Sequence, residues 1–518
     1  MKNVFFNSEI SCVEKIIIPS LKVPSLILME NAGRSFTEIL LQEFPDIQEH
    51  QIIIFTGKGN NAGDGFVIAR HLCNLKLNVR LVMISSRKDL SGEAGINFDI
   101  LKNSEIISKH LSIINYKNIS DLKDKISFDN SIIIDAIFGV GFKGEPDKKT
   151  AELINFINGI ENKKVIAVDV PSGLSNYDQK SKAVKADITV SMSVKKFDTL
   201  FYSGREFSGK ILTADIGISG NEFTYYNINR IFETEESDVR KYIPVRKINS
   251  NKYTNGKTLV IAGSKGLTGA AYLSSVAAMR AGSGAVITAV PESVNDILEI
   301  KMTEVMTLPL SETDECTLNM NAYEKISKKI KWADCVLIGP GLSKNEETME
   351  LVRHIVKNNQ TNYVIDADAL NAFKDNLNIL KNKNIILTPH FGEFASLTGM
   401  DLTELKSNFY NTGKDFAKRY NVTLILKNSP TVITDGKDFI INPTGKENLA
   451  TAGSGDVLSG ITAGLYSVTG NAMESSVAAV YIHGMCGDRL YEKSGSSSTL
   501  AGDLICEIGF VKNKFSAS

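Results

Sequence analysis

The stretch Gln51-Ile52-Ile53-Ile54-Phe55-Thr56-Gly57-Lys58-Gly59-Asn60-Asn61-Ala62-Gly63-Asp64-Gly65 decides the fold of the first half of the chain. A short β-branched run ends in a glycine loop, and the apolar residues from Phe66 onward read as a helix. Strand, loop and helix in that order are the first step of a parallel sheet. Gly57 to Ala62 match the G-x-G-x-x-A form of a dinucleotide fingerprint, but that match alone is weak. The acidic ribose clamp expected about 20 residues on is missing, because the next strand runs into Ser85-Ser86. The loop instead carries Asn60, Asn61 and Asp64. This composition suggests a phosphate cradle that also offers oxygen ligands to a cation.

Working outward, VRLVMIS (79–85), SIIIDAIFG (131–139), VIAVDVPSG (165–173), ADITVSM (186–192) and KILTADIGI (210–218) read as further buried strands, with a helix over 149–159. Short β-branched runs alternating with helices predict a parallel, doubly wound sheet. Residues 1–49 read as a helical lead-in. Residues 219–250 are polar and aperiodic, so the domain joint is expected there, with domains over 1–220 and 226–512. A second series opens at GKTLVIAGS (256–264) and an Ala-rich helix over 268–282. AVITAV, ADCVLIGPG, YVIDADAL, NIILTPHFGE, VTLILKN and TVITDG continue it, and helices from Gly455 and Ser475 close it. The class is α/β throughout.

At 518 residues, the chain can build two or more cores. The formal net charge is −1 and no long basic stretch occurs, which argues against a nucleic-acid partner. Six scattered cysteines include no CxxC pair, so neither a zinc ribbon nor a redox pair is indicated; reduced thiols packed in a cytoplasmic protein are expected. The first residues lack a signal-peptide core, and the apolar runs are too short to span a bilayer, so no membrane association is expected.

Chemistry concentrates in three places. Gly453-Ser454-Gly455 is a turn that can offer backbone N–H groups to a phosphate, and Asp456 follows where it can deprotonate a hydroxyl. Asp135 and Asp169 end two strands of the first series, at the rim where ligands of such sheets bind. Asp135, with Asn61 and the Ser172 region, offers hard oxygens to one monovalent or divalent cation. Each aspartate alone is equally read as a turn cap.

The first half then resembles a known family. Met29-Glu30-Asn31-Ala32-Gly33-Arg34, the Gly59–Gly65 loop, Asp135 to Glu145 and Val168 to Leu174 are similar, in order, to the NAD(P)H-hydrate epimerases. The resemblance implies that Asn61, Asp135 and Ser172 bind potassium. It implies that Asn60, Asn61, Ala62, Gly63, Asp64, Gly139, Val140, Gly141, Phe142, Lys143, Gly144, Glu145 and Asp169 contact the hydrated nicotinamide nucleotide. Loss of hydroxide from C6 of the hydrate needs an acid; Asp169 is the first candidate and Lys195 the second. Ala62 stands where the family usually has glycine, which costs about 1 kcal/mol if the position needs positive φ and nothing otherwise.

The second half resembles the ADP- or ATP-dependent NAD(P)H-hydrate dehydratases, which have a ribokinase-like fold. The runs that carry this are Val260–Ala271, Ile338–Leu342, Asp366–Ala372, Leu387–Glu393, Leu426–Ile433 and Ala450–Gly460. The resemblance implies that Gly453, Ser454 and Gly455 hold the transferred phosphoryl group and that Asp456 deprotonates the C6 hydroxyl. Lys427, Asn428, Ser429, Pro430 and Thr431 would lie along the nucleotide, with Mg2+ on its phosphates. Ala270, Gly341 and His390, with Asp456, would contact the hydrate. Asp366 and Asp368 either order metal-bound water or cap turns, and His483 reads as a packed core residue. Asn251, Asn428 and Asn448-Leu449 depart from the family's usual residues.

The expectation is a bifunctional repair enzyme for hydrated NADH and NADPH, dependent on ADP or ATP and homo-oligomeric. Two rivals remain. One is a vitamin-precursor alcohol kinase, which shares the Gly-Ser-Gly-Asp turn. The other is a non-catalytic binding module like those of RNA-decay scaffolds, against which the rim carboxylates count.

Overall fold

A computed structural model describes residues 1–516 apart from 104–106, 108, 178–181, 247 and 496. The chain divides into one unit of Lys2–Asn229 and another of Met1 with Arg230–Ser518. This division lies within the aperiodic 219–250 segment.

In the first unit, β1 is Lys2–Phe5, β2 Gln51–Thr56, β3 Val79–Met83, β4 Leu111–Asn115, β5 Ser131–Ala136, β6 Lys163–Val168, β7 Ile188–Met192, β8 Lys195–Lys196 and β9 Lys210–Ala214. Seven of them form a wholly parallel sheet in the order β4-β3-β2-β5-β6-β7-β9. Its five inner strands are covered on both faces, which is why they read as unbroken β-branched runs. The edge strands β4 and β9 are exposed or half-buried at most positions, contrary to the buried strand expected over 210–218. The order reverses between β2 and β5, so the loops leaving those two strands open a crevice at the carboxyl rim.

The structure differs from the sequence reading in two respects here. The lead-in is not all helical: β1 precedes the helices Asn7–Leu21 and Ser25–Glu43 and pairs with β8, Val4 beside Lys195 and Phe5 beside Lys196. Four residues are too few to show a strand period. The helix after β2 begins at Asn60, not Phe66. The glycine loop's second half is already the helix's first turns, hidden because it is polar and glycine-rich. Gly65 lets this helix lie on the sheet, since a Cβ there would sit 2.8 Å from the Ala136 side chain. Ala62 lies in the helix, is wholly buried and has no positive φ, so alanine carries no penalty.

The second unit has β10 at Ile231–Glu233, β11 Lys257–Ile261, β12 Ala285–Pro291, β13 Met306–Leu310, β14 Cys335–Ile338, β15 Asn362–Ile365, β16 Asn384–Leu387, β17 Thr423–Leu426, β18 Val432–Thr434 and β19 Phe439–Ile441. Their order is β13-β12-β11-β14-β15-β16-β17-β18-β19-β10, parallel except that β18 opposes both its neighbours. The switch point lies between β11 and β14. Helix Ser454–Thr469 packs its backbone onto helix Thr268–Ala281: Cβ atoms at Gly460 and Gly464 would collide with the carbonyl oxygens of Ser274 and Ala278. Glycines four apart on one helix thus face residues four apart on the other, which seats the Gly453–Asp456 turn.

Replacing Gly460 by valine should therefore cost about 1–3 kcal/mol, seen as a lower melting temperature. Gly509, in a late helix with nothing within 4 Å of an added Cβ, is the contrast. Its change to alanine should raise stability by a few tenths to about 1 kcal/mol.

Candidate active sites

A cavity of about 710 Å³ opens at the switch point of the first unit. The start of helix Asn60–Asn74 lines it through Asn60, Asn61 and Asp64; the loop after β5 through Gly139, Val140, Gly141, Phe142 and Lys143; and the end of β6 through Asp169. Gly144 and Glu145 are exposed beyond the lining, while Ala62 and Gly63 are buried behind it. Gly63 is held close there, with an added Cβ 2.5 Å from the Met29 sulfur.

Asp169 sits in the left-handed region at φ 70°. A non-glycine residue held there stores about 1–3 kcal/mol unless, as for aspartate, local bonds relieve it. Its Oδ1 accepts the Met192 amide at 3.0 Å and the Lys196 ammonium, which also donates to the Met192 carbonyl at 2.8 Å. Lys196 is completely buried. Sequence reasoning chose Lys195 instead, but that residue is half-exposed. The side chains of a strand alternate faces, so of two adjacent lysines only one can turn inward. No local pattern distinguishes them; the pairing of β8 with β1 does.

Around this pair stand two further carboxyls. Burial, then the charges of Asp169 and Glu14, push Asp64 well above the usual carboxylate range. Burial raises Glu14 to about 7, with Lys196 opposing. Glu14 carries no motif and was missed.

The residues expected to hold potassium do converge. Asp135 Oδ1 accepts the Ser172 hydroxyl at 2.5 Å and its Oδ2 the Ser172 amide at 2.8 Å. Ser172 Oγ accepts the Phe138 amide at 2.8 Å, and Asn61 Nδ2 donates to the Phe138 carbonyl at 2.9 Å. Asp135 is wholly buried, and burial lifts it to about 6 despite these bonds. One carboxylate with neutral side-chain and carbonyl oxygens is a donor set that fits a hard, singly charged cation. Among the described residues, no group of three or more His, Cys, Asp or Glu is placed to hold a metal ion.

In the second unit the centre is Lys427, at the end of β17. Its ammonium donates to the buried Asp366 Oδ1 at 2.8 Å and lies 3.9 Å from Glu393. Burial alone would lower the lysine, but those two carboxylates outweigh it and raise it. A Cβ on Gly455 would stand 3.4 Å from that ammonium, so the anion turn and Lys427 are neighbours. Gly453 caps the helix at φ 86°, and among the described residues the amides of Gly455 and Asp456 have no acceptor. These donors and the helix dipole suit a phosphate. Asp456 is raised to about 7, by burial first and then by the charge of Asp366, with Lys427 opposing.

Asp368 accepts the Ser343 amide at 2.9 Å and so caps a turn, whereas Asp366 serves as the partner of Lys427. His390 caps helix Phe391–Thr398: its Nδ1 accepts the Glu393 amide at 3.1 Å, and its own amide donates to Glu393 at 2.8 Å. Its ring is largely exposed. Gly341 lies against Ala270, 3.0 Å from a Cβ to the alanine methyl, and its carbonyl accepts Ser264 Oγ at 2.9 Å. Of the 427–431 segment, Thr431 Oγ1 bonds the Asn428 carbonyl at 3.0 Å, while Ser429 is exposed and Pro430 half-buried. Asn448 is structural, donating to the Gly487 carbonyl at 2.8 Å and to Thr499 at 2.9 Å. His483 is buried, as expected of a core residue. Its Nε2 also meets Ser454 Oγ and the Ser454 carbonyl, each at 3.1 Å, so it braces the anion turn.

Two α/β units, each with strand-end acids beside a helix start, define an enzyme of nucleotide chemistry. The NAD(P)H-hydrate dehydratase family model matches residues 258–509, and that of the YjeF-related protein N-terminus matches 25–197. The bifunctional NAD(P)H-hydrate repair enzyme Nnr of Moorella thermoacetica is 35% identical over 97% of this chain and 95% of its own. The enzyme of that name from Dictyoglomus turgidum is 30% identical over 96% of both. The chain belongs to the bifunctional NAD(P)H-hydrate repair enzyme family. Among solved structures, the ADP/ATP-dependent NAD(P)H-hydrate dehydratase of Bacillus subtilis, co-crystallised with ATP/Mg2+, is 28% identical. It covers 54% of this chain and 97% of its own, with a TM-score of 0.47.

Burial lowers His483 to about 4, from an ordinary 6.5. A depressed histidine contributes stability that is whole above pH 6.5 and is lost as pH falls toward 4. The His483 contribution should thus shrink by about 2 kcal/mol between pH 7 and pH 5, while Asp456, raised to about 7, acts in the opposite sense. The difference in urea-unfolding stability between wild type and His483→Gln at the two pH values isolates the histidine.

Proposed function

We propose that the first unit interconverts the R and S forms of hydrated NADH or NADPH at C6, and that the second dehydrates the S form with ADP or ATP. The observation that carries this reading is Asp456. Its carboxyl lies in the first turn of a helix whose free amides can hold a phosphoryl group, and it titrates near neutrality, where a general base works best. It would take the proton of the C6 hydroxyl as that oxygen attacks the terminal phosphorus of the nucleotide. Gly453, Ser454 and Gly455 would hold the transferred group, and Lys427 would meet its negative charge. The C6–O bond then breaks with its electron pair leaving on phosphate, and loss of a C5 proton, to the departing phosphate or to water, restores the dihydropyridine ring. Ala270, Gly341 and His390 would bound the hydrate, and residues 427–431 the nucleotide. Magnesium bound with the nucleotide would neutralise phosphate charge.

In the first unit, the hydrate would enter the cavity at the β2 and β5 rim. Exposed Lys58 and Lys143 at its edge suit the dinucleotide phosphates. When hydroxide leaves C6, the ring becomes an iminium cation, and Asp169 faces it as an anion fixed by Lys196. This pairing shifts Asp169 from proton donor to charge stabiliser. Potassium at Asn61, Asp135 and Ser172 would brace the Phe138–Gly141 loop. All six cysteines are free, which supports a cytoplasmic location, but only Cys73, Cys335 and Cys486 are packed in the core as expected, Cys12 and Cys506 being exposed. Among the described residues, no helix is long and apolar enough to cross a membrane.

Incubation of the chain with mixed hydrates, nucleotide and magnesium should restore the absorbance of the reduced nicotinamide. Asp456→Asn should lower that rate by about 100-fold or more, and the wild-type dehydration rate should climb as pH rises through about 7. Asp169→Asn should abolish R-to-S interconversion while S-form dehydration persists. A stable phosphorylated product would instead favour the alcohol-kinase reading.

A further inference from the structure

The first-unit cavity holds a carboxyl that no motif contains. Glu14 projects from the helix Asn7–Leu21, ahead of the segment matched by the YjeF-related model, and lines the same cavity as Asp64 and Asp169. Three carboxyls there share one buried ammonium. Lys196 is committed to Asp169, since its ammonium bonds that carboxylate and the Met192 carbonyl. One positive charge offsets one negative charge, so the two remaining acids in this poorly solvated space cannot both ionise cheaply. The cluster therefore keeps a proton at neutral pH.

We propose that Glu14 is a catalytic residue of the epimerase site: it gives its proton to the departing C6 hydroxyl and recovers one when water re-adds. The inference rests on the epimerase reading of the cavity. In the step, the C6–O bond breaks with its electron pair going to oxygen. The Glu14 proton joins that oxygen, and water leaves the iminium ring. Water then adds to either face of C6, and its surplus proton returns to the Glu14 carboxylate. Atoms, charge and oxidation state balance without a co-reactant.

The division of labour follows from what faces each acid. Lys196 from β8, Asp169 from the end of β6 and Asp64 from helix Asn60–Asn74 act on Glu14. Lys15 on its own helix, Lys58 in the glycine loop and Lys143 lie at the exposed edge, and Glu93 is engaged by Ser25. Asp169 is tied up by the Lys196 ammonium and the Met192 amide, and burial raises Asp64 well above the usual carboxylate range. Among the described residues, Glu14 lines the cavity without a committed cation, and burial raises it to about 7, where an acid that must be reloaded each turnover is most effective.

The test uses the full chain and the separated R and S hydrates, without nucleotide, following interconversion by chromatography. Wild type should slow as pH rises through about 7, opposite to the dehydration profile. Glu14→Gln should interconvert about 100-fold more slowly and lose that alkaline fall. S-form dehydration by the same preparation reports that the chain is folded. Glu14→Asp, which keeps the acid on a shorter arm, should recover part of the rate and the pH dependence. Interconversion by Glu14→Gln at the wild-type rate overturns the proposal, and so does a wild-type rate flat across pH 6–8. A wild-type chain that leaves the epimers unchanged at every pH sinks the epimerase reading itself.

Discussion

A lysine ammonium taken out of water has to meet an anion at its tip, and both units of this protein are built around that requirement. Lys196 reaches Asp169 in the first, and Lys427 reaches Asp366 in the second. Desolvating either charge alone costs several kcal/mol, so neither member can be removed without stranding the other. Each pair fixes a strand-end aspartate at the carboxyl rim of a parallel sheet. Each also engages a buried positive charge that stands among the acids crowded beside it.

That crowding sets the chemistry. Asp456 is left among Asp366, Asp368 and Glu393 with only Lys427 to oppose them, and so titrates near neutrality. Glu14 and Asp64 stand in the same relation to Asp169 and Lys196. In the roles proposed, the two sites use the shift in opposite senses. A group that begins a phosphoryl transfer has to be free of its proton, whereas one that helps hydroxide depart has to carry it. On the proposed assignment, one chain would run base-assisted and acid-assisted steps on the same C6 hydroxyl with ordinary carboxyls.

Backbone approach supplies the other half of the geometry. The Gly453–Asp456 turn points its amides outward because the helix behind it is pressed onto helix Thr268–Ala281 at Gly460 and Gly464. His483 holds the turn from below through Ser454. In the first unit, Gly65 lets the ligand-facing helix lie on β5, so Asn61 can reach the Phe138 carbonyl above Asp135 and Ser172.

Much of this was legible in residue order. The β-branched runs announced parallel strands, since only strands covered on both faces tolerate unbroken apolar sequence. The ends of those runs placed Asp135, Asp169 and Asp366, and the glycine turn before it placed Asp456, although the polar start of the helix at Asn60 stayed hidden. These are local properties, fixed by backbone sterics and by the few residues around each turn. Position in the chain did not reveal the partners of those acids. Nothing in Lys195-Lys196 says which one turns inward until β8 lies beside β1, and nothing near Glu14 marks it until its helix closes over the cavity. Residues distant in sequence made those choices, because desolvation and charge pairing depend on what surrounds a group in space.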